Sequence, residues 1–235
     1  MIVEKKHILT WISFPDEEKI KPSLTTVYLQ CDYRKRLFTH IRQPFTTYLI
    51  DLNLSKQQLL ERYSKKLRQN IKRAQKAGII IERDQNPAAV ILLFAPTAQE
   101  KKLNPISEAN FRTKVHFLIT RAIHPKYGVL AAHAYQLDLP SQRVQGLYNA
   151  SAFRQYTDDS DLQYLCGQAN SLLYHEDFVY FRKLGYKTYD FGGYGGNASG
   201  VDYFKDRFGG TVTTQYNYYP IWYFLVRKVR QAWKK

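Results

Sequence analysis

The clearest hydrophobic pattern of the chain lies between residues 55 and 78. Apolar residues recur there at spacings of three and four, which is the period of one helix face. Ser55, with Gln58 three residues later, is a capping box that begins a helix, and Gly78 is a natural C-terminal cap. The pattern predicts one helix with a core-facing stripe. The stripe consists of Leu60, Tyr63, Leu67, Ile71 and Ala74.

Alternating and β-branched segments predict the strands. They are Leu24–Cys31, Thr46–Leu52, Ile79–Glu82, Val129–Leu137, Arg143–Ala150, Tyr186–Phe191 and Thr211–Tyr219. The polar turn Asp138–Gln142 joins two of these strands into a hairpin. Four further helices are expected. They run from Asn86-Pro87 toward Ala95, where Pro96 disturbs the helix, from Ser107 to about Ala122, from Asp158–Ser160 to Gly185, and over Val201–Phe208.

These elements predict an α/β fold with a mixed sheet, in which a central helix packs beside an antiparallel hairpin. The chain has 235 residues and contains neither an internal repeat nor a low-complexity linker. We therefore expect one main domain, 46–219, with an N-terminal extension, 1–45, packed on it and a separate tail, 220–235. A domain of this size needs no disulfide or metal to fold. The spacing of Cys31 and Cys166 indicates no zinc site, and no metal is expected.

The tail places tryptophan and aliphatic residues among lysines and arginines. Such a short amphipathic segment is typical of a helix that lies in a membrane interface. A terminal helix docked on the core explains the same pattern, and the sequence leaves both interpretations open. No run of about 18 apolar residues or secretory signal is seen, so a cytoplasmic location is expected, with the inner membrane face as a site of peripheral binding.

The net charge of +15 is concentrated in two segments. Residues 56–83 contribute +7 and residues 227–235 contribute +5. Two basic segments favour anionic partners, and nucleic acid, phospholipid and pyrophosphate-linked substrates all qualify. The predicted anion-binding patch is one face of the first helix. It consists of Lys65, Arg68, Lys72 and Arg73. A solvated basic face is the alternative.

The candidate chemistry lies near the C-terminus. A strand ends in Asp190-Phe191-Gly192-Gly193, and a glycine-rich loop follows it. Glycines at this density let backbone amides approach an anion or a carbonyl oxygen closely. Lys205 then stands between Phe204 and Phe208, where its ammonium is placed to neutralise a phosphate or a developing oxyanion. No nucleotide-binding fingerprint, nucleophile elbow or paired glycosidase carboxylates are seen.

Three segments together resemble the Fem-type branch of the GNAT acyltransferase superfamily, the enzymes that add amino acids to peptidoglycan precursors and their acetyltransferase-like relatives. The segments are Tyr63–Gly78, then Gly146-Leu147-Tyr148-Asn149-Ala150-Ser151, and the long helix with Glu176 followed by Lys183-Leu184-Gly185-Tyr186, Asp190-Phe191-Gly192-Gly193 and Phe204-Lys205-x-x-Phe-Gly. The resemblance implies a GNAT-like, largely antiparallel sheet that splays between two central strands. Donor and acceptor would meet in that gap.

The resemblance also implies roles for individual residues. Lys205 would stabilise charge in the transition state, and Gly192 and Gly193 would leave room for the donor. Asp190 or Tyr194 would relay a proton. The remaining substrate-binding residues would be Tyr148, Arg154, which would hold an anionic acceptor group, and Phe204.

The chain departs from the family in length, since it corresponds to about one GNAT-like unit and shows no coiled-coil arm. The pyrophosphate signature of acyl-CoA-using relatives is also missing between Ser151 and Asp161. The donor is therefore either acyl-CoA or aminoacyl-tRNA. The expected function is direct acyl or aminoacyl transfer to an amine of a peptidoglycan or lipid-linked precursor. Two alternatives are a non-catalytic nucleic-acid binder that uses the 65–76 helix face and a membrane-surface adaptor that uses the tail.

Overall fold

One ten-stranded sheet organises the protein in the computed structural model, which describes residues 1–112, 114, 116–197 and 200–233. The strands are β1 Ile2–Lys6, β2 Leu9–Ser13, β3 Thr26–Cys31, β4 His40–Asp51, β5 Ile80–Asp84, β6 Phe117–His124, β7 Gly128–Asp138, β8 Arg143–Ser151, β9 Thr188–Gly193 and β10 Thr211–Pro220. The helices are α1 Lys56–Arg62, α2 Lys65–Lys76, α3 Ala88–Glu100, α4 Ala109–Arg112, α5 Ser160–Lys183, α6 Gly200–Asp206 and α7 Ile221–Ala232.

The strand order across the sheet is β1-β2-β3-β10-β4-β9-β8-β7-β6-β5. Among these neighbours, only β2 with β3 and β8 with β9 run parallel. The predicted fold class is therefore confirmed: a mixed, largely antiparallel sheet flanked by helices, with an amphipathic helix at the C-terminal end. Residues 1–45 contribute β1, β2, β3 and the start of β4 to this same sheet. The division of the chain at residues 45 and 220 stays a prediction.

The single helix predicted from Ser55 to Gly78 is two helices. The expected capping box at Ser55 is present, but Tyr63 has an extended backbone and ends α1. Ser64 then begins α2, because its side chain accepts a hydrogen bond from the Leu67 amide. The Ser64 amide donates to the carbonyl of Arg207 at 2.9 Å, so a contact with a distant segment holds the break in place. Periodicity missed the break because the apolar stripe continues across it.

The helix predicted from Ser107 to Ala122 is wrong. Among the residues described in this segment α4 is the only helix, and Phe117–His124 is a strand that pairs with both β5 and β7. Ile119 and Ala122 are fully buried between these partners and the helices above them. Pairing on both edges outweighs the local helix signal at Ser107. In α3, the helix continues beyond Pro96 to Glu100, four residues past the expected disturbance.

The core lies mainly around α5. One part is rich in aromatic rings, with Phe178, Phe181 and Tyr189 fully buried among them, and it joins α1, α2 and α5 to the sheet. A second part is rich in alanine and packs α3 and α5 against β6, β7 and β8. This ring packing accounts for many of the nineteen tyrosines. None of the described helices is both long and apolar enough to cross a bilayer.

Candidate functional site

The two parallel central strands separate part-way along their length. β8 and β9 pair over only three residues, Arg143 with Thr188 through Gln145 with Asp190. Beyond that point β8 continues beside β7 as far as Ser151, whereas β9 stays beside β4 as far as Gly193. The splay that the resemblance implied is therefore present. It opens a cleft between the second halves of the two strands.

This opening, here called the splay cleft, has a volume of about 580 Å³. Both strands, the crossover helix α5 between them, α3 and α6 contribute to its walls. Its lining residues are Phe94, Lys101, Leu147, Tyr148, Asn149, Arg154, Asn170, Tyr174, Phe191, Gly200, Val201, Phe204 and Lys205. Three of these side chains are cationic and none is acidic, so the cleft suits a substrate with negative charge.

Lys205 lies buried at the cleft wall, with 5% of its surface exposed. Its ammonium donates to the carbonyl of Gly193 and lies 3.5 Å from that of Gly192. The nearest carboxylate, Asp202, is 4.0 Å away. Burial lowers the pKa of Lys205, while Asp202, Asp190 and Asp206 act in the opposite direction. The ammonium is thus held by neutral carbonyls at the end of β9 and by a long ion pair with Asp202.

The glycine-rich loop is tied to the start of α6 by Asp202. Its Oδ2 accepts hydrogen bonds from the amides of Gly195, at 2.9 Å, and Asn197, at 3.2 Å. These bonds fix the loop against the helix that carries Lys205. Gly192 has a φ of +76°, a conformation that favours glycine, and it turns the end of β9 toward this loop. Asp202 was not predicted from the sequence, although its place three residues before Lys205 on one helix face was a usable signal.

Four of the predicted residues line the cleft together: Lys205, Phe204, Tyr148 and Arg154. The Phe204 ring packs 5.5 Å from the ring of Tyr174. Tyr148 is half-buried, and burial raises its pKa. Arg154 already pairs with Glu100, at 2.5 Å between Nε and Oε2, so an acceptor anion would have to compete with that carboxylate. Gly192 and Gly193 lie behind Lys205 at the strand end.

The other two predicted catalytic residues are not brought to the cleft. Asp190 is fully buried and accepts hydrogen bonds from Thr47, from Gln30 at 2.5 Å and from Arg143 at 2.6 Å. The Tyr194 hydroxyl donates to Asp206 at 2.9 Å, and that hydrogen bond, with burial, raises its pKa. Asp190 is thus enclosed away from the cleft, and the raised pKa keeps the Tyr194 phenol protonated. Their relay roles stay predictions.

Asn170 and Tyr174 are among the cleft residues that were not predicted from the sequence. They are four residues apart on α5, so they share one face of that helix. Behind Asn170 lies a buried hydrogen-bonded chain. The Asn170 side chain is 2.7 Å from His133, His133 is 2.7 Å from the Tyr135 hydroxyl, and that hydroxyl donates to Asp177 at 2.7 Å. In the sequence, Asn170 is a polar residue within a mostly apolar face of the long helix, and that position could have marked it as a candidate site residue.

The predicted anion-binding patch is divided between two grooves. Arg68 and Lys72 line a groove of about 440 Å³ between α1, α2 and His175. Arg68 also donates to the Tyr63 carbonyl at 2.6 Å and so caps the end of α1. Lys65 and Arg73 line a second groove. The role of the four residues as one anion-binding patch stays a prediction.

The second groove, here called the basic groove, lies between α2 and the first half of α5. It measures about 760 Å³. Its lining residues are Lys65, Lys66, Gln69, Asn70, Arg73, Phe153, Ser160, Gln163, Tyr164 and Gly167. Tyr164 is 67% exposed and Phe153 is 43% exposed. Cations beside exposed aromatic rings are the components of a surface that binds single-stranded nucleic acid. The groove adjoins the splay cleft, since Phe153 precedes Arg154 and Gly167 lies one turn before Asn170.

Solved structures with the same fold support this description. A crystal structure of FemX superposes with a TM-score of 0.60 at 14% identity, over 78% of this chain and 63% of the FemX chain. The C-terminal domain of an Agrobacterium fabrum protein described as a lysylphosphatidylglycerol synthetase superposes with a TM-score of 0.57 at 12% identity, over 92% and 79%. L-PGS from Bacillus licheniformis superposes with a TM-score of 0.54 at 12% identity, over 83% and 67%. At such identities the similarity shows the fold alone.

Neither a family model nor a curated protein matches the sequence. The chain spans slightly less than two thirds of the FemX length. Within the described residues, no group of three histidine, cysteine or carboxylate side chains is placed to hold a metal ion.

Proposed function

We propose that this chain is an acyltransferase that moves an acyl or aminoacyl group directly onto an amine of a cell-envelope precursor, with the reaction in the splay cleft. The observation that carries the proposal is the position of Lys205. Its buried ammonium donates to the Gly193 carbonyl at the end of β9 and lies 4.0 Å from Asp202, and the residue lines the cleft together with Phe204 and Tyr174. A charge in such a site is well placed to act on a developing oxyanion.

The reaction needs one tetrahedral intermediate. The amine nitrogen of the acceptor attacks the donor's carbonyl carbon, and the carbonyl oxygen becomes an oxyanion that the Lys205 ammonium stabilises. The bond from that carbon to the donor's oxygen or sulfur then breaks, and the proton lost by the amine passes to the leaving atom. None of the described residues that line the cleft is a carboxylate or a histidine, so we propose that the proton moves between amine and leaving group directly or through water.

For the donor, we favour an aminoacyl-tRNA over an acyl-CoA. The basic groove places Lys65, Lys66 and Arg73 beside the exposed rings of Phe153 and Tyr164, which suits phosphates and stacked bases. It lies next to the splay cleft, so a strand end bound there would bring its 3′ ester to Lys205. The absence of the acyl-CoA pyrophosphate signature between Ser151 and Asp161 also favours aminoacyl-tRNA as the donor.

For the acceptor, we propose a peptidoglycan or lipid-linked precursor that carries an anionic group. Once Lys205 is assigned to the oxyanion, Lys101 and Arg154 are the remaining cleft cations, and the anionic group would displace Glu100 from Arg154. The proteins with the same fold include FemX and a protein whose name describes the synthesis of lysylphosphatidylglycerol, an aminoacylated lipid. The likeness in fold to these two proteins is consistent with a cell-envelope precursor as the acceptor.

The test of the site is turnover by the purified chain with each donor class and an amine acceptor. Lys205→Ala should reduce turnover by about 100-fold or more, because one lost oxyanion partner has that effect in other enzymes. Tyr203→Ala, at an exposed position of the same helix, is the matched control. Full activity of Lys205→Ala would show that the proposed role is wrong.

The donor is tested separately by calorimetric titration with acetyl-CoA, tRNA and ATP. We expect a saturable site for tRNA, which Lys65→Gln with Arg73→Gln weakens and Lys72→Gln leaves nearly unchanged, because Lys72 lines the other groove. A saturable acetyl-CoA site with no response to ATP would instead identify a CoA-dependent enzyme. Binding of tRNA without turnover of any donor would favour the second candidate, a nucleic-acid-binding protein that uses the same basic groove.

A further inference from the structure

α7 carries two apolar faces, and only one of them is covered. Tyr223 and Phe224 pack on the sheet, where Tyr223 lies 5.8 Å from the ring of Trp11 and both contact Tyr219. The sequence left open whether this helix docks on the core or faces a membrane. Docking through the Tyr223 face is therefore observed, and it leaves the opposite face of the helix free for another partner.

The opposite face is an exposed apolar stripe, here called the α7 stripe. At about 100° of rotation per residue, it points away from the side of Tyr223 and Phe224. Its members and their exposed fractions are Leu225 (57%), Val226 (42%), Val229 (55%) and Trp233 (88%). Trp222 (37%) borders the stripe, and its indole Nε1 donates to the carbonyl of Leu24 at 2.6 Å. So many large apolar side chains exposed in one stripe mark an interaction surface.

Cations border the α7 stripe on both sides. On the helical wheel Lys228 lies along one edge, where its ammonium is 5.7 Å from the Phe224 ring, and Arg230 lies along the other and lines the stripe. No aspartate or glutamate follows Asp206 in the sequence. Of the tail as it was predicted, Lys234 and Lys235 lie outside the described residues.

We infer that the α7 stripe docks on the surface of an anionic phospholipid bilayer. Tryptophan and aliphatic side chains between flanking cations are the pattern of a helix that lies in the interface. The helix has 12 residues and is about 18 Å long, well short of the roughly 30 Å of the hydrocarbon core, so it lies on the bilayer and does not span it.

Charge separates this occupant from a second copy of the chain. Two α7 stripes placed face to face would bring Lys228 and Arg230 of one copy close to the same cations of the other, with no acidic residue nearby on α7 to compensate. An anionic headgroup layer, in contrast, offers opposite charge to both edges of the stripe. Charge complementarity therefore favours the bilayer.

The position of α7 relates the bilayer to the splay cleft. β10 and β9 both run antiparallel to β4, so they point in the same direction, and α7 leaves the sheet at the end of β10. That is the end toward which β8 and β9 open. A bilayer bound by α7 would thus lie toward the cleft end of the sheet, where a lipid-linked acceptor would be held. This last step rests on the proposed function, whereas docking itself does not.

The test is flotation of the full chain with vesicles of phosphatidylcholine mixed with phosphatidylglycerol, and with vesicles of phosphatidylcholine alone. We expect binding to the anionic vesicles, with a blue shift of tryptophan fluorescence. Leu225→Glu with Val229→Glu should weaken binding by more than about tenfold. Lys228→Gln and Arg230→Gln should each weaken it by about fivefold. The matched control is Leu92→Glu with Leu139→Glu, at leucines that are 67% and 61% exposed elsewhere.

Vesicle binding that is unchanged by the α7 stripe substitutions would overturn the inference. So would an absence of vesicle binding together with a dimer, seen by sedimentation, that the same substitutions dissociate, because a second copy would then cover the stripe. Turnover is measured in a separate assay with soluble acceptors. Failure of vesicle binding and failure of the acyltransferase proposal are therefore distinguishable.

Discussion

The buried ring of His133 lies with its Nε2 only 2.7 Å from the side-chain oxygen of Asn170, at the wall of the splay cleft. Nδ1 of the same ring is 2.7 Å from the Tyr135 hydroxyl, which in turn donates to Asp177. His133, Tyr135 and Asp177 are all fully buried. The orientation of Asn170 in the cleft is therefore set by a chain of hydrogen bonds that reaches the core.

Replacement of Asn170 tests that chain. Asn170→Leu removes the partner of the His133 ring and leaves a buried polar atom without a hydrogen bond. We expect the free energy of unfolding to fall by about 1–3 kcal/mol, measured by urea denaturation. If the stability of Asn170→Leu equals that of the wild type, the hydrogen bond contributes nothing to the fold.

The pH dependence of turnover tests the charge on Lys205. Burial lowers the pKa of this side chain below the usual lysine value of 10.5. Activity that needs the ammonium should then decline on the alkaline side before pH reaches that value. Lys205→Arg keeps its charge at higher pH, so any residual activity of this variant should lack the decline. An alkaline decline shared by both proteins would assign it to another group.

The loss of folding stability at acid pH tests the burial of His175. Burial lowers the pKa of this histidine from 6.5 to about 4, and its Nε2 has no hydrogen-bond partner in the described structure. Between these two values the unfolded chain binds a proton that the folded chain does not. The associated stability is fully present above pH 6.5 and is lost as pH falls through 4, with a total of about 3 kcal/mol.

His175→Gln should remove this part of the pH dependence. The comparison is urea denaturation of both proteins at pH 7 and pH 4.5, with His7→Gln, at an exposed histidine, as the matched control. The difference in stability between the two pH values should be smaller in His175→Gln than in the other two proteins. Equal differences in the wild type and both variants would mean that burial of His175 does not cause the loss of stability at acid pH.

Gly210 occupies a place where no side chain fits. A Cβ atom there would lie 2.4 Å from the Leu49 carbonyl oxygen and 2.5 Å from the Tyr48 ring. Gly210→Ala should therefore destabilise the fold by about 1–3 kcal/mol, the cost typical of overpacking. Gly167 within α5 has open space around it, so Gly167→Ala should instead stabilise the helix by up to about 1 kcal/mol. Thermal unfolding of both variants separates the two effects.

Local patterns in the sequence were sufficient to predict many of the elements around the site. The β7–β8 hairpin, the long helix α5, the strand β9 and the short helix that carries Lys205 were all expected close to their observed positions. Each depends on neighbouring residues, through the period of apolar positions, a capping side chain or a glycine. The sequence thus predicted that the end of β9 and the aromatic-flanked lysine lie close together.

Contacts between distant residues decided the rest. Phe117–His124 is a strand because β5 and β7 pair with both of its edges, and the 55–78 segment breaks at Tyr63 where the Arg207 carbonyl holds Ser64. Asp190 is sequestered by Gln30, which is 160 residues away in the sequence. No local period records such partners. By itself the sequence therefore determined most elements around the site and the lysine, whereas tertiary packing decided the remaining elements, which polar groups are satisfied in the core and which face the cleft.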